Sequence, residues 1–280
     1  MLPPADLMET CAELAAGAGR ILAELFMQPR TVHEKAHNDL VTDADRASES
    51  WLLAQVRRRH PDHAQLVEES GAFDLAGAPY TWVMDPLDGT TNYAHGFPHF
   101  NVSVAVCTPD ALPVAGAVAD PMRDELFVAA RGAGAWLRTP GGARRLSVTS
   151  CAAVSTALLA TGFPYDRARE PDNNHAEHDA MSCASHGVRR AGAAALDLAY
   201  VAAGRLDGYW EAHLKRWDLA AGALLVLEAG GVVTGYDGRP FDGKMSAVVT
   251  AGPRVHADLL AGIADVRRAR GLPAAPARSA

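Results

Sequence analysis

Cysteine is scarce in this 280-residue chain, aromatic side chains make up only 6% of it, and basic residues are outnumbered, 26 Lys and Arg against 33 Asp and Glu. Cys11, Cys107, Cys151 and Cys183 are scattered without a C-x-x-C pair, which excludes a zinc ribbon and a dense disulfide framework. Reduced thiols in a cytoplasmic protein are the simplest account, and no cysteine stands in a recognisable nucleophile setting. The net charge of −7 argues against a nucleic-acid binder that works through a general basic surface. The one basic cluster, Arg57-Arg58-Arg59, reads as a solvated helix end. No apolar run reaches the roughly 18 residues of a membrane span. Asp6, Glu9 and Glu13 stand where a signal peptide would need a basic start and an unbroken apolar run, so the expectation is a soluble, cytoplasmic protein without membrane contact. The eleven histidines form no zinc motif; His95, His99, His175 and His178 read as surface or packing residues.

What is present is a globular balance of 49% hydrophobic and 21% charged residues. Leu7, Cys11, Leu14, Ala15, Ala18, Ile21, Leu22 and Leu25 repeat at helical spacing and predict an amphipathic helix that ends before Pro29. A second helix is predicted from Asp43 to Arg59, capped by Thr42 or Asp43 and closed by His60-Pro61, with Ala47, Trp51, Leu52 and Val56 on its inner face. Short β-prone runs follow at 65–67, 80–84, 101–107, 114–119 and 126–130. Beyond a polar connection over 162–174, helices near 176–184, 193–203, 218–229 and 257–268 interleave with strands near Tyr209, Val232 and Val248. This predicts an N-terminal α+β half over residues 1–150, a C-terminal α/β half over 151–270, and a disordered Pro/Ala-rich tail over 271–280.

Three acidic motifs carry the chemistry. In Asp85-Pro86-Leu87-Asp88-Gly89-Thr90-Thr91-Asn92, two carboxylates emerge from the end of an apolar strand. Pro86 stiffens the turn, Gly89 lets a ligand approach the backbone, and the Thr-Thr-Asn run can open a helix whose free N–H groups suit phosphate. Carboxylates beside a phosphate cradle repel the substrate unless a divalent cation lies between them, and hard oxygen donors without Cys or His favour Mg²⁺. Glu68-Glu69-Ser70 follows another strand. Trp217-Asp218-Leu219-Ala220-Ala221-Gly222 opens an apolar helix, with Asp218 placed to serve as its N-cap and small residues that let this terminus pack closely on another backbone. Taken singly, each motif also reads as a turn, a solvated loop or a capped core helix.

Together, in this order, and with Asp39-Leu40-Val41-Thr42, Gly187 to Ala195 and Asp207-Gly208-Tyr209-Trp210-Glu211, they resemble the inositol monophosphatase family over nearly the whole chain. The resemblance implies an αβαβα sandwich of the inositol monophosphatase/fructose-1,6-bisphosphatase type, commonly a homodimer, that uses two or three Mg²⁺ ions and is lithium-sensitive. It implies Glu68, Asp85, Asp88, Asp218 and the Leu87 carbonyl as metal ligands. Gly89 and Thr90 would hold the phosphate, Thr90 with Asp45 and Glu68 would activate the attacking water, and Ala194 and Glu211, with Asp88 and Asp218 nearby, would meet the alcohol. Lys35, four residues before Asp39, could approach the same water.

The expected reaction is direct hydrolysis of inositol 1-phosphate. Histidinol phosphate, adenosine 3′,5′-bisphosphate and fructose 1,6-bisphosphate are alternative substrates, because Glu211 could accept hydrogen bonds from ring hydroxyls or from an amino group. An alternative of another class is a regulatory contact with RNA polymerase, which the resemblance allows and the acidic charge does not independently support.

Overall fold

The computed structural model describes residues 2–26, 28, 32–36 and 39–276. Helix α1 (Pro4–Phe26) buries Leu7, Cys11, Leu14, Ala15, Ala18 and Leu22, the stripe predicted from spacing. Strands β1 (Val32–Ala36) and β2 (Asp39–Thr42), which sequence periodicity does not predict, form a small hairpin. Thr42 then caps α2 (Asp43–Arg59): its Oγ1 accepts from the Ala44 N–H while its own N–H donates to Asp45 Oδ2 at 2.8 Å.

The buried face of α2 corrects the sequence reading. It is formed by Asp45, Ser48, Glu49, Leu52 and Val56, while Ala47 and Trp51 sit at its margin. Apolar residues alone misplace the face because half of it is polar.

The chain next builds β3 (Ala64–Val67), β4 (Gly71–Phe73), β5 (Thr81–Asp88), the short helix α3 (Thr90–Ala94), β6 (Asn101–Cys107), β7 (Pro113–Asp120), β8 (Glu125–Ala130), β9 (Gly134–Thr139) and β10 (Gly142–Arg145). These strands form an eight-stranded sheet in the order β10-β9-β8-β7-β6-β5-β3-β4, antiparallel except for the parallel pair β3–β5. The second sheet is drawn from β11 (Leu158–Thr161), α4 (His175–Ala184), β12 (Gly187–Arg189), α5 (Ala194–Ala202), β13 (Gly208–Ala212), α6 (Arg216–Glu228), β14 (Val232–Thr234), β15 (Ala247–Ala251) and α7 (Pro253–Ala269). Its order is β12-β11-β13-β15-β14, with β11 parallel to both neighbours.

Three apolar clusters separate five layers. One joins α1 and α2 to the large sheet, a second fills the space around α5 and α6 between the sheets, and a third joins the small sheet to α7. The order is therefore αβαβα. Close packing in the middle layer depends on small residues, because a Cβ at Gly116 of β7 would come within 3.1 Å of the Ala221 backbone of α6. This is the close approach expected from the Ala-Ala-Gly run.

The tail departs from expectation over its first part. Arg267 Nε donates to the Pro273 carbonyl at 2.9 Å, and Ala275 packs against the third cluster, so residues 271–276 are folded back onto α7. Residues 277–280 lie outside the described residues. Among the described residues no helix is long and apolar enough to cross a membrane.

Candidate metal and phosphate site

Parallel pairing of β3 with β5 aligns Val67 with Met84, so Glu68 and Asp85 leave adjacent strand ends side by side. The pairing of β5 with β6 is interrupted between them: Asp85 faces Ser103 and Asp88 faces Asn101, three residues of β5 spanning two of β6. This is a bulge, and it sits where Pro86 has no N–H to offer the ladder. Before it, Trp82 and Met84 point into the α1/α2 cluster and Val83 into the α5/α6 cluster. The extra residue brings Asp85 and Asp88 to the same face, that of Ser103 and Asn101, toward α5 and α6. Ser103 Oγ donates to the Trp217 carbonyl at 3.1 Å, which ties this face to the start of α6.

Asp218 reaches the site from α6, but not as the N-cap. The helix begins at Arg216 because the cap residue is Lys215, whose N–H donates to Asp218 Oδ2 at 2.7 Å. Asp218 is thus the third helical residue and reaches back to the cap. Asp88 is held on three sides: Asn101 Nδ2 donates to Oδ2 at 2.7 Å, the Ala195 N–H to Oδ2 at 2.8 Å, and the Ala194 N–H to Oδ1 at 3.2 Å. Ala194, expected against the alcohol, therefore directs its N–H to Asp88. Asp85 Oδ1 accepts the Leu87 N–H at 2.9 Å across the bulge.

The carboxylates raise one another's pKa. Burial pushes Asp85 well above the ordinary range, and the charges of Glu68, Asp88 and Asp218 push it further. Asp218 is raised well above its ordinary value by burial and then by Asp88. Burial also raises Asp88, against the bonds from Asn101, Ala195 and Ala194. Among the described residues no three His, Cys, Asp or Glu side chains are already closed around a common point. The donor set is nevertheless all hard oxygen, and among the described residues Asp85, Asp88 and Asp218 form no ion pair with Lys or Arg. Residues present here fit a hard divalent cation.

Helix α2 holds this array from behind. Asp45 is fully buried and its Oδ1 accepts from Thr90 Oγ1 at 3.0 Å, while Thr90 Oγ1 also lies 3.0 Å from the Leu87 carbonyl. Burial raises the pKa of Asp45 against the bonds from Thr42 and Thr90. Ser48 Oγ donates to the Pro86 carbonyl at 2.7 Å, and the Glu69 N–H donates to Glu49 Oε2 at 3.0 Å. Ser70 Oγ donates to the other Glu49 oxygen. One helix therefore fixes the bulge, the Glu68 loop and Thr90. Gly89 turns the chain with φ +94, and a Cβ there would come within 3.0 Å of the His99 carbonyl. Of the histidines set aside in the sequence, His99 is buried against Tyr200, and His175 and His178 pack on Phe163.

Glu211 on β13 lies close enough to Asp88 and Asp218 for their charges to act on one another. Tyr209 Oη donates to Glu211 Oε2, and burial pushes the Glu211 carboxyl up to about 7 against the pull of Tyr209 and Arg190. Asp197 of α5 is 2% exposed and makes no side-chain hydrogen bond among the described residues. Its pKa is raised well above the ordinary range by burial, then by Glu211 and Asp88.

Ser48, Glu49, Asn101 and Asp197 were not read from the sequence. For the first two a signal existed, since Asp45, Ser48 and Glu49 follow i, i+3, i+4 on the face that also carries Leu52 and Val56. The side chains of Lys35 and Asp39 lie outside the described part of the structure.

Comparison with known proteins converges on one family. The sequence profile of the inositol monophosphatase family matches residues 5–268. An inositol-1-monophosphatase of Synechocystis is 42% identical over 91% of this chain and 89% of its own length. The Nus factor SuhB of Pseudomonas aeruginosa is 45% identical over 82% of this chain and 87% of its own. The solved inositol monophosphatase of Anabaena (Nostoc) superposes with a TM-score of 0.82 at 39% identity, covering 92% of this chain and 95% of that one. With its αβαβα layers and its carboxylates gathered at a bulged strand end, this chain belongs to the inositol monophosphatase family.

Proposed function

We propose that the protein is a Mg²⁺-dependent phosphatase that converts inositol monophosphate to inositol and phosphate, acting as a cytoplasmic homodimer. The observation that carries the metal-dependent reading is the set of buried carboxylates that raise one another's pKa without a basic partner among the described residues. Glu68, Asp85, Asp88, Asp218 and the Leu87 carbonyl would hold two or three ions. When bound, Mg²⁺ supplies positive charge that acidifies water and offsets the charge of the phosphate.

The remaining roles belong to the chain itself. The N–H groups of Gly89 and Thr90, at the opening of α3, would bind phosphate oxygens. Thr90 Oγ1 directs its proton inward toward Asp45 Oδ1 and the Leu87 carbonyl. Its remaining lone pair can accept a proton from the attacking water, and Asp45 can take the proton passed on. Asp45 Oδ2 is engaged by the Thr42 N–H and hydroxyl, which leaves Oδ1 for Thr90. Glu68 would assist from the adjacent strand end. Glu211 would accept hydrogen bonds from hydroxyls of the alcohol, and the backbone amides of Ala194 and Ala195 hold the Asp88 carboxylate, which would serve as a metal ligand, in place.

The test is phosphate release from inositol 1-phosphate, histidinol phosphate, fructose 1,6-bisphosphate and adenosine 3′,5′-bisphosphate, with Mg²⁺ supplied or chelated. Activity surviving thorough chelation overturns the mechanism, and a covalent phosphoryl group trapped on the protein overturns direct attack by water. Millimolar lithium should inhibit; an unchanged rate counts against that expectation. A second reading, contact with the transcription machinery, is favoured by the identity to SuhB Nus factors. Retention on RNA polymerase that persists in an Asp88→Asn variant would separate that role from catalysis.

A further inference from the structure

Asn174 occupies the N-cap position of α4 but does not cap it. A capping Asn normally turns its side-chain oxygen onto the first N–H groups of its helix. Here Oδ1 is turned away and accepts from Trp210 Nε1 of β13 at 2.7 Å. Its Nδ2 donates to Thr161 Oγ1 at 2.7 Å and to the Gly162 carbonyl at 2.6 Å, at the end of β11. Thr161 Oγ1 in turn donates to the Trp210 carbonyl at 2.6 Å, and Thr161 and Trp210 are register partners. The amide is 4% exposed and sits on a residue with φ +66, a left-handed conformation that Asn tolerates better than most.

The two strand ends joined by this amide lead directly into the alcohol end of the pocket. Gly162 follows Thr161, and Glu211 follows Trp210. A Cβ at Gly162 would lie 2.1 Å from both carboxylate oxygens of Glu211, so the Glu211 side chain fills the space a side chain at 162 would take. The segment is also held further along. Arg267 of α7, 1% exposed, makes paired bonds of 2.6 Å to both Asp172 oxygens, and the Asp172 carbonyl lies 3.0 Å from His213 Nε2. His213, at φ +65, stands between Glu211 and Asp218.

We propose that Asn174 is a positioning residue for the alcohol end of the site: by clamping the Gly162 backbone against Glu211 it sets where that carboxylate points, and so the preference for hydroxyl-rich leaving groups. This rests on the phosphatase reading above. A residue that only held the fold would affect all substrates alike.

The experiment compares wild type with N174G, N174D and G162A. N174G deletes the amide while relieving the left-handed backbone. N174D keeps the acceptor for Trp210 and loses both donors. G162A forces the Glu211 carboxylate to move. Each is assayed with Mg²⁺ on inositol 1-phosphate and on p-nitrophenyl phosphate, whose leaving group offers Glu211 no hydroxyl. We expect KM for inositol 1-phosphate to rise about 10-fold in N174G and N174D, the size of one misdirected hydrogen bond to a charged acceptor, and G162A to follow. For p-nitrophenyl phosphate kcat/KM should change by less than about threefold, since it forgoes that bond. Equal losses on both substrates, or none on either, overturn the proposal. A crystal structure of N174G supplies the second readout: a Glu211 carboxylate that has not moved overturns the proposal whatever the chain hydrolyses. A wild type that turns over neither ester overturns the functional reading instead, and the structure of N174G then decides the positioning claim alone.

Discussion

Glu211 makes the protein's stability depend on pH in a direction opposite to that of an ordinary surface carboxylate. Its carboxyl is pushed from 4.5 to about 7 by burial, so between these values the folded chain keeps a proton that the unfolded chain has released. Stability is therefore undiminished below pH 4.5, falls as pH rises, and has lost the full amount above pH 7. The displacement corresponds to at most about 3 kcal/mol, and to about 2 once the water that reaches this half-buried group is allowed for. In Glu211→Gln the side-chain oxygen can still accept from Tyr209, but nothing ionises. The assay is urea unfolding of both proteins in chelator, from pH 4.5 to pH 8. The variant should gain about 2–3 kcal/mol on wild type across that range, whatever its offset at the acid end. Because Asp88 is one of the charges that raises Glu211, Mg²⁺ should narrow the gap. A difference between the two proteins that stays constant from pH 4.5 to pH 8 would refute the reasoning.

Asp85→Asn keeps the acceptor for the Leu87 N–H and removes one charge from a buried like-charged group, so in chelator the variant should melt higher than wild type. It should also lose both activity and the Mg²⁺-induced rise in Tm; a lower Tm in chelator contradicts the electrostatic account. Asn101→Ala frees Asp88 Oδ2 from its side-chain donor and should lower Mg²⁺ affinity or activity by about 10–100-fold, measured as a Mg²⁺ titration of the rate. Gly222→Ala would set a Cβ 2.6 Å from the Leu198 side chain and should cost about 1–3 kcal/mol in urea unfolding, as α5 and α6 are forced apart.

The parts legible in the sequence were those where one residue type does one job. The stripe of α1, the strand ahead of Asp85, the Thr42 cap and the small residues of α6 each follow from local chemistry. β1, β2, β4, β9, β10, β11 and β12 escaped because short strands are specified by their partners across the sheet and carry little periodicity of their own. At the site, Asp85, Asp88, Asp218 and Glu68 were found through motif order. Asn101 and Asp197 could not be, since an Asn at the start of a β-prone run and an Asp inside an apolar helix become informative only once Asp88 and Glu211 stand beside them. α2 was misjudged for a physical reason: its inner face serves the site, so Asp45, Ser48 and Glu49 occupy positions that a search for apolar residues assigns to solvent.

The bulge in β5 is a half-step in the alternation of that strand. Without it, side chains three apart would stand on opposite sides of the sheet, one carboxylate among the α1/α2 aliphatics and its neighbour in the cleft. The site exists because the strand is out of phase with itself at one point, where proline has already given up a ladder bond. Removing one residue between Asp85 and Asp88 would leave both carboxylates on that face of a more regular ladder, but would take away the displaced Pro86 and Leu87 carbonyls that Ser48 and Thr90 hold, so at this position a better-formed sheet and the present constellation are alternatives.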